Sequence, residues 1–230
     1  MAEDLIRPTR GGRTAGRPAR AVLSPALRAW FGLVAALAAL VVVVLGAVYA
    51  GDGEAGGVDA RIAVDGVGSS WRRVALATDF LGEPLGAAVL VGAAVTGCLL
   101  LRWPRAAVLV VAGAGLAVGT TTLLKPLVGR TIHGHDNLSY PSGHTAFLTA
   151  FALTVALLAT GRLGLGRTAG LSLVLAAALV AGAAMGWAQV ALGAHYPTDA
   201  LGGWCTALAV TPVTAWLVDT VADAGRPEPR

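Results

Sequence analysis

The sequence has 230 residues, of which 56% are hydrophobic and only 13% are charged, and its mean hydropathy is +0.71. A soluble domain carries about twice this share of charged residues, so the composition excludes an ordinary soluble protein and predicts an integral membrane protein forming one bundle. The net charge is +4 and the basic residues flank apolar runs, which argues against a nucleic-acid partner.

The N-terminal segment is polar and basic. Residues 1–28 contain six arginines but only two acidic residues, Glu3 and Asp4. We predict a disordered tail that remains in the cytoplasm, because polar, charged segments do not fold and positive residues favour that side of the membrane. The apolar run over residues 29–50 is long enough to cross a bilayer. A cleaved signal peptide is the alternative, but the run exceeds a signal h-region and no clear cleavage site follows it.

The rest of the chain alternates between apolar runs and short polar turns. Arginines mark the turns at residues 102–105 and 162–167, which the positive-inside rule places in the cytoplasm with both termini. The sequence therefore predicts an all-α, six-helix integral membrane bundle over residues 29–218 and a short cytoplasmic tail over residues 219–230. The predicted spans are residues 29–50, 84–101, 106–124, 145–163, 170–192 and 199–218.

The segment between the first two spans is polar and is expected outside. Within it, residues 70–81 contain Trp71 and Phe80 and predict a short helix that lies in the membrane interface. The two cysteines, Cys98 and Cys205, lie inside apolar runs, so neither a disulfide framework nor a metal site is indicated.

The four histidines are confined to two turns on the predicted outer face. The only lysine, Lys125, ends the third span on the same face. Ionisable groups that converge at span ends indicate a functional site. These histidines are His133, His135, His144 and His195.

The stretch Tyr140-Pro-Ser-Gly-His-Thr-Ala146 joins an outer loop to the fourth span. Ser142 suits a helix N-cap, and Gly143 lets the backbone approach a ligand. The helix N-terminus that follows can bind an anion through its free N–H groups and its dipole. Taken alone, an ordinary helix cap with an interfacial histidine, His144, explains the stretch equally well.

Two cations end the third span. Lys125 and Arg130 are five residues apart and could bind one anion, the arginine through its planar fork and the lysine as a point charge. Taken alone, the pair is better explained as two cations that extend toward lipid headgroups.

The turn after the fifth span contains a histidine and an acid four residues apart. Asp199 could accept a hydrogen bond from one ring nitrogen of His195 and leave the other nitrogen as a nucleophile. The alternative is that the two residues merely cap the sixth helix. The presence of His144 and Lys125 on the same face favours the chemical interpretation.

The order of a lysine–arginine segment, Pro141-Ser-Gly-His144 and His195-x3-Asp199 on a six-span bundle resembles the type 2 phosphatidic acid phosphatases. These are the membrane branch of the superfamily that includes vanadium haloperoxidases, and the resemblance covers about residues 71–204. It implies a phosphatidic acid phosphatase/haloperoxidase-like helical core. It also implies hydrolysis of a phosphate monoester or pyrophosphate on a lipid, without a metal or another cofactor.

The resemblance also assigns roles to residues. His195 would attack phosphorus and form a phosphohistidine, Asp199 would orient His195, and His144 would protonate the leaving oxygen. The groups that would hold the phosphoryl oxygens are Lys125, Arg130, Ser142 and the Gly143 N–H.

Two positions depart from the family pattern. The family has an arginine seven residues after the lysine, where this chain has Ile132, so Arg130 is expected to substitute. The family also has an arginine six residues before the nucleophilic histidine, where this chain has Gln189. A long side chain at position 189 could reach the phosphate under His195, so Gln189 is a possible site residue, and we expect a real but altered or slow phosphatase. His133 and His135 could supply additional positive charge.

Several alternatives stay open. A non-catalytic family member that binds a lipid phosphate is the main one, and the missing arginine motivates it. A small transporter is disfavoured because no charged residue lies at mid-span, and a haloperoxidase is disfavoured because six spans indicate a lipid substrate. The candidate substrates are phosphatidate, phosphatidylglycerol phosphate, polyprenyl pyrophosphate and a polyprenyl-linked sugar phosphate. The site is expected on the outer face of the cell membrane.

Overall fold

The computed structural model describes residues 25–62, 64 and 67–224, and these residues form helices and connecting turns without a β-strand. The predicted tail over residues 1–28 lies almost entirely outside the described residues, as does the end of the C-terminal tail. The eight helices are α1 (Pro25–Val48), α2 (Gly57–Ile62), α3 (Ser69–Phe80), α4 (Pro84–Leu100), α5 (Pro104–Val128), α6 (Gly143–Leu163), α7 (Arg167–Ala191) and α8 (Pro197–Ala224).

Five of these helices, α1 and α5 to α8, are long and apolar enough to cross a membrane. The predicted second span corresponds to α4, which has 17 residues and follows α3 with a bend of 57°. If this bent pair counts as one span, the described residues contain six. The prediction of an all-α membrane bundle is confirmed, and the short helix expected over residues 70–81 is α3.

Local sequence explains where the long helices begin and end. α5 begins at Pro104 and ends before Gly129, whose left-handed φ of 67° costs glycine nothing. α6 begins after Ser142, whose side-chain oxygen accepts a hydrogen bond from the Thr145 N–H at 3.4 Å. The N-cap that the sequence predicted at Ser142 is therefore confirmed.

Small side chains form the contact surfaces between the helices at the centre of the bundle. Buried alanines and a few larger apolar residues from α1, α5, α6, α7 and α8 make one core, in which α1 packs mainly on α8. Close approach of helices through small residues is typical of membrane bundles. Large apolar side chains instead point outward, including Leu100, Leu123, Leu127 and Val180, each at least two-thirds exposed. Such a surface fits hydrocarbon and not water.

One end of the bundle gathers the C-termini of α1, α5 and α7 with the N-termini of α6 and α8, and we call it the histidine end. Backbone hydrogen bonds connect its loops: the Gly51 N–H donates to Val128 O at 2.9 Å, and the Ser142 N–H donates to Asp199 O at 3.0 Å. The turn between α3 and α4 also reaches this end, because Gly82 lies against the His144 ring. Residues far apart in the chain are thereby brought together.

Candidate active site

His195 lies in the turn between α7 and α8 with its ring directed at the first turn of α8. Its Nδ1 is 3.6 Å from Oδ2 of Asp199, which is longer than a hydrogen bond but close enough for the carboxylate to orient the ring. Asp199 is fully buried, and the Tyr196 N–H donates to the same Oδ2 at 3.1 Å. Nδ1 thus faces the acid, and Nε2 is the ring nitrogen left to react.

The protonation state of His195 follows from its surroundings. Burial lowers the pKa of His195, whereas the negatively charged carboxylate of Asp199 beside Nδ1 raises it. The nearby charges of Lys125 and His144 lower this pKa further. The net effect favours the neutral imidazole, which is the nucleophilic form.

Ser142 is held where the loop enters α6. Its hydroxyl accepts hydrogen bonds from the N–H and from Oγ1 of Thr145, the latter at 3.1 Å, so its own proton stays available to a ligand. α8 packs directly on this turn at Gly203, where an added Cβ would lie 2.3 Å from the Ser142 carbonyl oxygen. The loop therefore cannot move without moving the helix that carries Asp199.

Lys125 lies in the last turn of α5, and its side chain is half-buried. Its Nζ donates to the carbonyl oxygen of Leu138 at 2.8 Å, which leaves two of its three protons for other acceptors. Its charge lowers the pKa of His195.

Arg130 has no exposed surface and is held by two acids. Its Nη1 donates to Oδ1 of Asp199 at 2.7 Å and to Oγ1 of Thr198 at 2.6 Å, while its Nη2 donates to Oδ2 of Asp59 at 2.6 Å. Both terminal amines already have carboxylate partners, so a phosphoryl oxygen would have to share Arg130 with Asp59 and Asp199, and the phosphate-binding role of Arg130 stays a prediction.

Asp59 is the residue at this site that the sequence did not indicate. It lies on α2, is 1% exposed, and contacts both Arg130 and Thr198. Burial alone would raise the pKa of Asp59, but the hydrogen bonds from Thr198 and Arg130 hold that pKa below its ordinary value. In sequence, Asp59 is one of six acids between residues 51 and 83, and no spacing distinguishes it.

His144, at the start of α6, faces the turn between α3 and α4. Its Nε2 is 3.7 Å from Oδ1 of Asp79 and 3.6 Å from Oε1 of Glu83. Gly82 makes this approach possible, since an added Cβ would lie 2.4 Å from Cδ2 of the ring. The ring is therefore fixed between the turn and the bundle, with carboxylates on one side.

The comparisons with known proteins agree with this geometry. The model of the PAP2 superfamily matches residues 106–223. The chain belongs to the PAP2 superfamily. Its fold is similar to a crystal structure described as the first transmembrane PAP2 type phosphatidylglycerolphosphate phosphatase from Bacillus subtilis. The TM-score is 0.63 at 20% identity, over 85% of this chain and 98% of that one. Among curated proteins, none matches the sequence significantly.

Gln189 departs from the PAP2 pattern, and its side chain contacts an acid. Its Nε2 donates to Oδ1 of Asp79 at 2.5 Å, and the residue is 1% exposed. This contact forms because α3 packs on α7 and brings Asp79 to the amide, and a contact between Gln189 and a phosphate stays a prediction. Gln189 therefore supports the acid beside His144.

Three further residues that the sequence singled out lie in the loop before α6. Ile132, at the family's arginine position, is buried. His133 and His135 are both exposed, but Nε2 of His133 lies 2.7 Å from the carbonyl oxygen of Gly193 and joins the two loops of the histidine end.

Among the described residues, one group has the composition of a metal site. Single ligand atoms of Asp79, Glu83 and His144 all lie within 4.8 Å of one another. Such a group could take a divalent cation through oxygen and nitrogen, at the cost of occupying His144. Metal independence, which the family resemblance implies, stays a prediction.

Proposed function

We propose that this PAP2 protein is a membrane lipid phosphatase that cleaves a phosphate monoester or pyrophosphate through a phosphohistidine on His195. The observation that carries the proposal is the pairing of a largely buried His195 with the fully buried Asp199 carboxylate at the end of an apolar bundle that also holds Lys125, Ser142 and His144.

The chemistry follows in two steps. Nε2 of His195 attacks phosphorus, the bond from phosphorus to the leaving oxygen breaks, and His144 gives its proton to that oxygen. A water molecule then attacks the phosphohistidine, His144 takes a proton from it, and inorganic phosphate leaves with the histidine restored. Lys125, the Ser142 hydroxyl and the Gly143 N–H stabilise the phosphoryl charge that develops in both steps.

The lipid substrate is proposed from the membrane fold and from the neighbour. The Bacillus subtilis protein is described as a phosphatidylglycerolphosphate phosphatase, which supports phosphatidylglycerol phosphate as one candidate. The same reaction could cleave phosphate from three other candidate substrates: phosphatidate, polyprenyl pyrophosphate and a polyprenyl-linked sugar phosphate. The histidine end is proposed to face the outside of the cell.

Phosphate release by detergent-purified protein from a panel of these lipids tests the proposal. We expect release by the wild type, none by His195→Ala, inhibition by vanadate, and acid-labile phosphate on histidine after acid quenching. His135→Ala is the matched control, because it removes an exposed histidine of the outer loop. A chelator should not reduce the rate. Wild-type activity in His195→Ala would overturn the mechanism.

A lipid-phosphate-binding protein without turnover is the second candidate. The observation in its favour is that Arg130 is bound to carboxylates and that Gln189 contacts Asp79, so neither offers an unpaired cation to the phosphate. Saturable binding of a lipid phosphate with no release of phosphate from any lipid would support it.

A further inference from the structure

The Asp59 carboxylate is fully paired although it comes from a short helix outside the spans. Oδ1 accepts from the N–H of Thr198 at 2.9 Å and from its hydroxyl at 2.8 Å. Oδ2 accepts from Arg130 at 2.6 Å and from the N–H of Gly56 at 3.1 Å. A carboxylate with four donors and 1% exposure stays ionised and fixed in orientation.

Arg130 is equally fixed. Its guanidinium carbon lies 4.1 Å from the ring centroid of Tyr49 and 4.4 Å from that of Tyr196, so the planar group is stacked between two aromatic faces. Its two amines bond Asp199 on one side and Asp59 on the other. The arginine cannot turn toward either acid without losing the stack.

The charges of this buried cluster do not cancel. Asp59 and Asp199 contribute one negative charge each and Arg130 one positive charge, so the sum is −1 + 1 − 1 = −1. Asp199 gives Oδ1 to the arginine and directs Oδ2 at Nδ1 of His195. If Asp59 lost its charge, Arg130 would neutralise Asp199 alone and the cluster would present no net charge to the histidine.

We propose that Asp59 is a positioning residue that keeps Asp199 available to His195. It binds one terminal amine of Arg130, so the arginine does not neutralise Asp199 alone, and it fixes the first turn of α8 through its bonds to Thr198. It touches no substrate. The inference rests on the proposed function of His195 as nucleophile for its kinetic consequence, but its electrostatic consequence is measurable on the protein without turnover.

The experiment must separate the effect of Asp59 from the effects of the charged groups that lie around His195. Asp199 of α8 favours the protonated ring, whereas Lys125 of α5 and His144 of α6 oppose it. Arg130 bonds Asp199, and Asp59 bonds Arg130 and Thr198, so their charges reach the ring from behind Asp199. Changing Asp59 therefore leaves the direct neighbours of His195 in place.

The main variant is Asp59→Asn, which keeps the shape and removes the charge. We expect kcat to fall by about ten- to a hundredfold, the loss typical when a group behind a reacting side chain is removed or the side chain shifts by an ångström, with KM nearly unchanged. The acid limb of the pH–rate profile should move to lower pH, because His195 loses carboxylate support. Glu54→Gln is the matched control: it removes an exposed acid from the same segment and should change neither quantity.

A double variant tests the charge balance itself. Asp59→Asn with Arg130→Met removes both charges and returns the cluster to −1, so the acid limb should move back toward the wild-type position. Asp59→Asn alone keeps the buried Arg130–Asp199 pair and is therefore the variant expected to remain folded, whereas the double variant leaves Asp199 without its cation. Strictly additive losses in the double variant would overturn the proposal.

The measurement that does not depend on activity is an NMR titration of the histidine rings in detergent, with His195 assigned by comparison with His195→Ala. The titration midpoint of His195 should move to lower pH in Asp59→Asn and recover in the double variant. If the midpoint moves as expected while no protein releases phosphate, the proposed function fails and the Asp59 inference holds. An unmoved midpoint in both variants overturns the inference, whatever the activity.

Discussion

Replacing Gly82 by alanine should displace His144 without removing any group that takes part in the reaction. The added Cβ would lie 2.4 Å from Cδ2, 2.9 Å from Cγ and 3.0 Å from Cβ of the His144 side chain. Three contacts along one side chain cannot be relieved by moving a flexible tip. Gly82 also lacks a positive φ, so the backbone itself accepts alanine.

The size of the effect follows from these distances. Ordinary contact begins near 3.4 Å, so the ring must retreat by 3.4 − 2.4 = 1.0 Å, or the turn between α3 and α4 must move by as much. A misplacement of about 1 Å in a reacting group can cost about a hundredfold in rate, equivalent to roughly 2.7 kcal/mol of barrier. We expect a loss of this order on a lipid phosphate, whose alkoxide needs a proton.

The assay compares two leaving groups. p-Nitrophenolate leaves without a proton, so Gly82→Ala should lose much less rate on p-nitrophenyl phosphate than on a lipid phosphate. Gly92→Ala and Gly97→Ala are matched controls on α4, since neither position has any atom within 4 Å of an added Cβ. Equal losses on both substrates, or full activity on the lipid, would refute the assignment of His144 as the acid held by this turn.

Three further predictions concern orientation, the departure at Gln189 and pH. Single cysteines at Asp136 and at Gly164 should differ in labelling by an impermeant thiol reagent on intact cells, with Asp136 labelled; equal or reversed labelling would reject the orientation. Gln189→Arg should leave vanadate affinity unchanged, because the new cation would pair with Asp79. The double variant Gln189→Arg with Asp79→Asn should bind vanadate more tightly. Tighter binding in the single variant would show that the side chain reaches the phosphate. Because burial lowers the pKa of His195, the neutral nucleophile should persist at pH values below its ordinary pKa of 6.5. The rate should therefore fall only as the pH drops through the lowered pKa. An acid limb of kcat/KM at or above pH 6.5 would contradict this.

Local signals in the sequence predicted the parts of the fold that depend on local chemistry. The N-cap at Ser142 and the short helix α3 lie where the residue types predicted them, because a cap depends on its own turn and a short helix on its own pattern. The same holds for the pairing of His195 with Asp199, which are four residues apart across one turn.

The contacts that the sequence did not predict join distant segments. Arg130 and Asp59 are 71 residues apart, and Gln189 and Asp79 are 110 apart. The sequence around a polar residue at the end of a span looks the same whether its side chain contacts a ligand or a buried side chain. The assignment of Arg130 and Gln189 to the phosphate therefore rested on the family pattern, and packing of α2 and α3 supplies protein partners that this pattern does not contain.

Three acids that contact groups of the candidate site come from the part of the chain before the PAP2 match at residues 106–223. Asp59 on α2 bonds the arginine that shares Asp199, and Asp79 and Glu83 flank His144. Each of the two histidines proposed for catalysis is thus influenced by an acid from this earlier segment. Because connecting segments can change while helices α5 to α8 keep the reacting groups in place, we infer that the segment between α1 and α4 tunes the nucleophile and the acid separately.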